Sequence, residues 1–600
     1  MKYKSLAELF LTKAQRFGEK TLVRYLKRPH NELFKISWLE ILDRVEKLSL
    51  GLERLGAKAK DNIGLLSVTY HDWLVCDFAI LCLGAVTVPL YHNSSEESIE
   101  YITQHAELRY VFVRNKIQLQ KLRAHFHNFP NLEYVIVMED KGDIPRNEPK
   151  IITLDDVIRI GEHEKKKFPE KFKDTVKAVQ PEDLATIIYT SGTTGVPKGV
   201  PLTHENVLVA ALSFFEYVPL HEDHVQLTFL PLAHVFERIC GQIYGIDQGV
   251  TFTYCEQPEK IPYLLKNADI TMMLVVPRIL EKIYAKVMNE IAKQPDLTRN
   301  AIMAAIEFGV NVQRKKANKK PIEFLENMAY SAAKATLLNK IKQGIAPKLS
   351  IFVTGGAPLN PEISFFFEAI GITVLEGYGL TETTAPLTVN PLLANKPGTV
   401  GIPFGHFKIR LEEDGEIICQ GPALFKGYYK DEEETKAAII DGWFHTGDLG
   451  EFDSEGYLKI VGRKKDLIIT AGGKNIAPSH IEHKLSQSPF INQVVVLGDK
   501  ERYLAALIVL EKEAIVKWAR ENSLGIDAQT SLNDNEAIVH LIEKEIYRLS
   551  SELASYETVK KFLILDEELS VEGGELTPTL KVKRKVVAQK YADKIKALFA

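Results

Sequence analysis

Twelve residues, YTSGTTGVPKGV from Tyr189 to Val200, bring together five hydroxyl side chains, three glycines, a proline and a lysine. A surface turn needs only a couple of such residues. The density points to a loop laid against a ligand rich in oxygen acceptors, most simply a polyphosphate. A Walker loop places its lysine directly after the second glycine, with a hydroxyl beside it for the metal; here Lys198 follows Pro197 and precedes Gly199. The glycine loop, HRD and DFG set of a protein kinase is missing too. Further candidate residues and loops recur downstream: His234 in LPLAHVFE, Gly355-Gly356-Ala357 in TGGAPL, Glu376 to Thr384 (EGYGLTETT), Asp448 in TGD, Arg463 in GRKKD and Lys581 in LTPTLKVKRKVV. Each has an ordinary reading when taken singly. Glu382 could cap a helix, Asp448 could sit in a turn, His234 could be a satisfied core histidine, and Lys581 could belong to a solvated basic segment.

Such loops work only if rigid elements hold them. Ser37-Trp38-Leu39-Glu40 has the form of a capping box, and Ile41, Val45, Leu48 and Leu52 continue at helical spacing. Short apolar runs follow at Ile63–Leu66, Val86–Leu90, Tyr110–Val113 and Tyr134–Val137, separated by helix-length segments, the alternation of a mostly parallel, doubly wound α/β sheet. Thr186–Tyr189 reads as another strand, which puts the hydroxyl-rich loop at a strand's carboxyl end, where open α/β sheets bind ligands. Leu349–Val353 and Ile372–Leu375 lead in the same way into TGGAP and EGYGLTETT, so three loops could face one crevice. The stretch from Lys282 to Lys348 is helix-rich, and its basic cluster Arg314-Lys315-Lys316 with Lys319-Lys320 reads as a solvated face in preference to a lipid-headgroup site. Beyond Gly401, short strands and turn signals mark a small β-rich subregion. A separate, smaller α+β domain is expected from residue 463 to 600, after an N-terminal domain of residues 1 to 462.

The bulk properties set limits. At 600 residues the chain exceeds the roughly 250–300 residues that one core can serve. A net charge of -4, with 45% hydrophobic and 26% charged residues, offers no overall basicity for nucleic acid. The five cysteines fall in no metal-ligand spacing and read as free thiols of a reducing compartment. The N-terminus has no signal-peptide pattern, which points to the cytoplasm. The most apolar window, Trp73 to Leu90, is broken by Asp77, Gly84 and Pro89 and reads as a buried helix and strand, so any membrane contact would be peripheral, on an inner face.

TSGTTGVPKG, LPLAHVFE, TGGAPL, GYGLTE, TGD, GRKKD and a late lysine, in that order, resemble the signature motifs of the adenylate-forming superfamily, which includes acyl-CoA synthetases, firefly-type luciferases and peptide-synthetase adenylation domains. The resemblance spans essentially the whole chain and implies two steps: a carboxylate joins the α-phosphate of ATP with loss of pyrophosphate, then the acyl group passes to a thiol. It implies that Thr190, Ser191, Gly192, Thr193, Thr194, Gly195 and Lys198 wrap the β- and γ-phosphates. Tyr378 would offer a face to adenine, with Gly377 and Gly379 allowing close approach and Glu376, Gly355, Gly356 and Ala357 completing the nucleotide site. Thr381 would donate to the α-phosphate, Glu382 with Thr190 would hold Mg²⁺, Asp448 would take the ribose hydroxyls, and Arg463 would make a further ribose or phosphate contact. His234 would stand near the acyl carboxylate and the thiol entry. Lys581 would bridge carboxylate and α-phosphate from a mobile domain that turns about Lys465, and Gly472-Gly473-Lys474 would line the thiol channel.

Within that superfamily VVPRILEKIYAKV, the helical insertion up to Lys348 and the ending ELTPTLKVKRKVV resemble long-chain fatty acyl-CoA synthetases. The resemblance implies fatty acid, ATP and CoA as partners. The acyl pocket would come from Ile239–Ile246, Met272–Val276 and Ile351–Gly356. Two alternatives stand beside this reading: a fatty acyl-AMP ligase that loads an acyl carrier protein, and a nucleotide-responsive scaffold that has kept the fold.

Overall fold

The computed structural model describes residues 2–27, 32–139, 142, 144, 150–191, 196–524, 532, 535–551, 553–577 and 581–599. The chain divides into two compact units, one of Met1–Ile409, Cys419–Phe444 and Phe452–Leu458, the other of Arg410–Ile418, His445–Glu451 and Lys459–Ala600.

The first unit holds two large sheets. A seven-stranded sheet runs in the order Ile151–Thr153, Tyr134–Val137, Tyr110–Val113, Asn62–Ser67, Val86–Tyr91, Leu184–Ser191, Pro197–Thr203. All its pairings are parallel except the last. A nine-stranded sheet runs Ile402–Pro403, Ala385–Val389, Thr373–Leu380, Ile351–Thr354, Met272–Val275, Val225–Thr228, Thr251–Tyr254, Thr21–Lys27, Glu32–Ser37, parallel through the middle and antiparallel at both ends. Parallel strands need covered faces, and the strands from residue 62 to 137 are accordingly almost wholly buried. The expected capping box is present: Ser37 Oγ accepts from the Glu40 amide at 3.2 Å and Glu40 Oε2 accepts from the Ser37 amide at 2.7 Å, opening the helix Trp38–Arg54. The apolar window becomes helix His71–Cys82, buried at every position, followed by the strand Val86–Tyr91. Trp73 and Phe78 are fully buried there, each contributing about 1.5–3 kcal/mol. Among the described residues no helix is long and apolar enough to cross a membrane. All five cysteines are buried and free.

Two strand boundaries differ from the sequence reading. The strand expected to stop at Tyr189 continues to Ser191 and pairs antiparallel with Pro197–Thr203. The strand expected to stop at Leu375 continues through Glu376-Gly377-Tyr378-Gly379 to Leu380, because Ala385–Val389 supplies an antiparallel partner that local sequence does not reveal. The basic cluster is largely neutralised: Arg314 pairs with Glu362 at 2.6 Å, Lys315 with Glu326 at 2.8 Å, and Lys319 with Glu455.

The second unit carries the sheet Ile491–Leu497, Leu504–Leu510, Val559–Leu565, one antiparallel and one parallel pairing, over a core that includes Ile481, Leu485, Ile508, Ile515, Ile538 and Ile542. Short strands and turns between residues 402 and 463 form the β-rich subregion.

Candidate active site

In the first unit the antiparallel strands Leu184–Ser191 and Pro197–Thr203 set Thr190 opposite Lys198 and Tyr189 opposite Gly199. Gly192, Thr193, Thr194 and Gly195 lie outside the described residues, as does the Ser191 side chain. Lys198 Nζ is 2.5 Å from Glu434 Oε2 and 5.3 Å from the centroid of the Tyr428 ring, whose hydroxyl donates to Glu382 Oε1 at 2.9 Å. Burial, then the Glu382 carboxylate, push the Tyr428 phenol upward, so it stays protonated and donating. A motif lysine and a motif carboxylate are thereby joined through one phenol. The Tyr429 amide donates to Gly199 O at 2.8 Å, locking that segment to the strand Pro197–Thr203.

The GYGLTE motif forms the end of one strand and the turn after it. Gly355 meets it at close range: a Cβ on Gly355 would lie 2.9 Å from Gly377 O. Gly356, at φ +84, and Ala357 are exposed beyond. Thr381 and Glu382 are each 9% exposed. The Thr384 amide donates to Thr381 O at 3.0 Å, and the Thr383 hydroxyl to Ala385 O at 2.7 Å, tightening the turn. Glu376 is buried on the same strand, where burial pushes its carboxyl up to about 8 although the Gly398 amide donates to it at 3.2 Å.

His234 opens the segment leading into a π-helix, Phe236–Ile243, an uncommon element often found at functional sites. Its Nδ1 accepts from the Phe236 amide at 3.1 Å, which leaves the proton of the neutral ring on Nε2. Arg238 on that helix donates to both Asp77 oxygens at 3.0 and 2.6 Å and to Thr186 Oγ1 at 2.6 Å, with guanidinium and carboxylate both buried. Arg238, through Thr186, thereby ties the His234 segment to the strand Leu184–Ser191 that leads into the hydroxyl-rich run.

The second unit holds its own cluster. Asp448, 3% exposed, accepts from Arg463 Nε at 2.7 Å, and its amide donates to Thr446 Oγ1 at 3.1 Å. Gly447, at φ +70 within the strand Trp443–Phe452, donates to Glu416 Oε1 at 2.9 Å. Burial alone would raise Glu416, but hydrogen bonds from Lys464, His445 and Gly447 outweigh it and hold the carboxyl below its ordinary value. Lys581 is joined to Thr577 by its amide, which donates to Thr577 Oγ1 at 3.0 Å, and by its carbonyl, which accepts from the Thr577 amide at 2.8 Å. Three residues on, Arg584 donates to Val496 O of the sheet at 3.2 Å and pairs with Glu482. Gly472-Gly473-Lys474 tips a small hairpin, with Lys474 Nζ 5.4 Å from the centroid of Tyr556. Among the described residues no group of three or more His, Cys, Asp or Glu side chains could hold a metal ion.

The family described as AMP-binding enzyme matches residues 10–429, and the AMP-binding enzyme C-terminal domain matches residues 465–600. This chain belongs to the AMP-binding enzyme family. It resembles the long-chain-fatty-acid–CoA ligase FadD15 of Mycobacterium bovis, 33% identical over 569 residues, 94% of this chain and 92% of the relative. Long-chain-fatty-acid–CoA ligase 5 of Rattus norvegicus is 32% identical over 611 residues, 96% of this chain and 85% of the relative. A solved structure of the anthranilate CoA ligase AuaEII in complex with anthranoyl-AMP shares the fold, with a TM-score of 0.75 at 19% identity over 99% of this chain and 98% of the other.

In this AMP-binding enzyme the sequence reading overlooked Tyr428, Tyr429 and Glu434. The available signal was the double tyrosine and acid run of GYYKDEEET. It also passed over the charge partners Glu416 and Lys464, and the Asp77–Arg238 pair, which no spacing announces.

Proposed function

We propose that this AMP-binding enzyme activates a long-chain fatty acid with ATP to acyl-AMP, releasing pyrophosphate, and then transfers the acyl group to CoA, giving acyl-CoA and AMP. One observation carries the reading. Lys198, Tyr428 and Glu382 form a continuous line of contacts, a fixed cation and a hard oxygen donor braced by one phenol, as a triphosphate and its metal require. Relatives at 32 and 33% identity that are fatty-acid–CoA ligases support the substrate class.

The first step brings two anions together, so positioning and electrostatic stabilisation lower its barrier. Lys198 and the hydroxyl-rich run hold the β- and γ-phosphates. Thr381 donates to the α-phosphate, Tyr378 offers its ring to adenine, and Asp448, oriented by Arg463, accepts from the ribose hydroxyls. Lys581 bridges the fatty carboxylate and the α-phosphate while the carboxylate oxygen bonds to phosphorus and the bond to pyrophosphate breaks. The thiolate of CoA then attacks the acyl carbonyl, AMP leaves, and His234 stands beside the reacting carbonyl with Lys474 along the thiol path. A lone carboxylate and a hydroxyl make a sparse donor set, which fits an ion that arrives on the nucleotide with its own waters. Glu382 and Thr190 would hold Mg²⁺, which supplies neutralisation of phosphate charge. The domain from residue 463 onward turns about Lys465 between the two halves. The same reading puts the protein in the cytoplasm, with any membrane contact peripheral.

The test is fatty-acid-dependent ATP–pyrophosphate exchange over a chain-length panel, run with and without CoA. Exchange with long-chain acids and thioester formation on free CoA are expected. Exchange without acyl-CoA would favour carrier-protein loading, and no exchange at any chain length would revive a scaffold role.

A further inference from the structure

Three consecutive glutamates, Glu432, Glu433 and Glu434, open the short helix Glu432–Ala438. Their positions differ sharply. The Glu432 side chain is 93% exposed and reaches Lys436 at 3.7 Å, an ordinary surface pair. Glu434, 38% exposed, turns inward to Lys198 Nζ at 2.5 Å, and Lys198 is itself 17% exposed. The geometry behind that contact is over-determined. Lys430, at φ 54, turns the chain, Asp431 Oδ1 accepts from the Glu434 amide at 3.0 Å, and Thr435 Oγ1 donates to Asp431 O at 2.6 Å. The Tyr428 amide donates to that same Thr435 hydroxyl at 2.8 Å, and the Tyr429 amide reaches Gly199 O, next to Lys198, at 2.8 Å. Glu434, the phenol beneath the lysine and the strand bearing the lysine are therefore one braced unit.

A cation facing the leaving group has two opposed tasks. Negative charge on pyrophosphate grows as the bond to the α-phosphate breaks, so Lys198 stabilises the transition state. The same attraction is strongest for the finished product and slows its release. We propose that Glu434 is a positioning residue that tempers Lys198, fixing the ammonium over Tyr428 and withdrawing part of its charge from the phosphates so that pyrophosphate can leave. The inference rests on the nucleotide-activating reading of the site.

Steady-state acyl-CoA formation tests it, with pyrophosphate as product inhibitor, in Glu434→Gln, Glu434→Asp, Lys198→Ala and the double variant. In Glu434→Gln the inhibition constant of pyrophosphate and the KM for ATP should fall about tenfold, the response to a modest change in a partly exposed charge pair. The turnover number should fall with them while the KM for fatty acid stays unchanged. Glu434→Asp should restore most of the parent behaviour, and in the Lys198→Ala background the Gln substitution should shift pyrophosphate binding less than twofold. Weaker pyrophosphate binding in Glu434→Gln, or none of these constants moving, overturns the inference; a uniform loss shared by all substrates does the same, since it marks a merely structural role. A parent enzyme that lacks fatty-acid-dependent exchange sinks the activity reading itself, whereas an active parent with an indifferent Glu434→Gln sinks this inference alone.

Discussion

Gly379→Ala tests the proposed nucleotide site with a single methyl. Gly379 stands opposite Pro386 at a bulge in the hairpin formed by Thr373–Leu380 and Ala385–Val389. A Cβ there would lie 2.2 Å from Ala385 O, 2.7 Å from Pro386 Cα and 2.8 Å from Ala385 C, all backbone atoms that no rotamer change can remove. The opposing turn resists movement. Thr384 at φ 57 and Ala385 at φ 89 are in left-handed backbone, which costs about 1–3 kcal/mol each, and the Thr383 hydroxyl holds Ala385 O at 2.7 Å. Relieving a 2.2 Å contact requires the strand to move by more than about 1 Å, since non-bonded contacts favour about 3.5–4.0 Å. Tyr378 and Thr381 flank the site and move with it. A displacement of about 1 Å can cost about 100-fold in rate, equivalent to about 2.7 kcal/mol. The assay is fatty-acid-dependent pyrophosphate exchange at varied ATP, with circular dichroism to verify folding. Gly356→Ala is the control: its φ of +84 brings a strain of about 1–2 kcal/mol, but its Cβ would meet nothing within 4 Å. Gly379→Ala should lose about 100-fold in kcat/KM for ATP and Gly356→Ala less. Activity of Gly379→Ala within threefold of the parent, or a greater loss in Gly356→Ala, would refute the reasoning.

Burial lifts Glu376 to about 8 from an ordinary 4.5, so the folded chain keeps a proton that the unfolded chain releases. Stability should therefore fall as pH rises from 4.5 to 8 and level off above; Glu376→Gln should flatten the melting temperature over that window, and an unchanged slope would count against it. Lys581→Ala should abolish pyrophosphate exchange yet leave thioester formation from preformed acyl-adenylate largely intact, and equal loss of both halves would reject its assignment. Asp448→Asn, which weakens both the Arg463 pair and the proposed ribose contact, should raise the KM for ATP about tenfold with little change in the KM for fatty acid, checked by initial rates. Lys465→Pro should impair the thioester half and spare adenylation; survival of both halves moves the hinge elsewhere.

Much of this protein follows from its sequence alone because the deciding interactions are local. The capping box at Ser37 and Glu40, the apolar runs that became parallel strands and the buried helix His71–Cys82 are each written within a dozen residues or fewer. The ordered motifs likewise singled out Lys198, Glu382, Asp448 and Arg463, and the structure joins the first two through Tyr428 and the last two directly. What the tertiary structure decided is which distant groups meet. The buried Asp77–Arg238 pair and the grip of Glu434 on Lys198 depend on segments far apart in the chain. Periodicity reports which face of an element is buried, whereas an ion pair or a strand pairing depends on what the finished fold places opposite it. Lys198 was visible in the sequence; Glu434, the carboxylate paired with it, was visible only once the chain had folded.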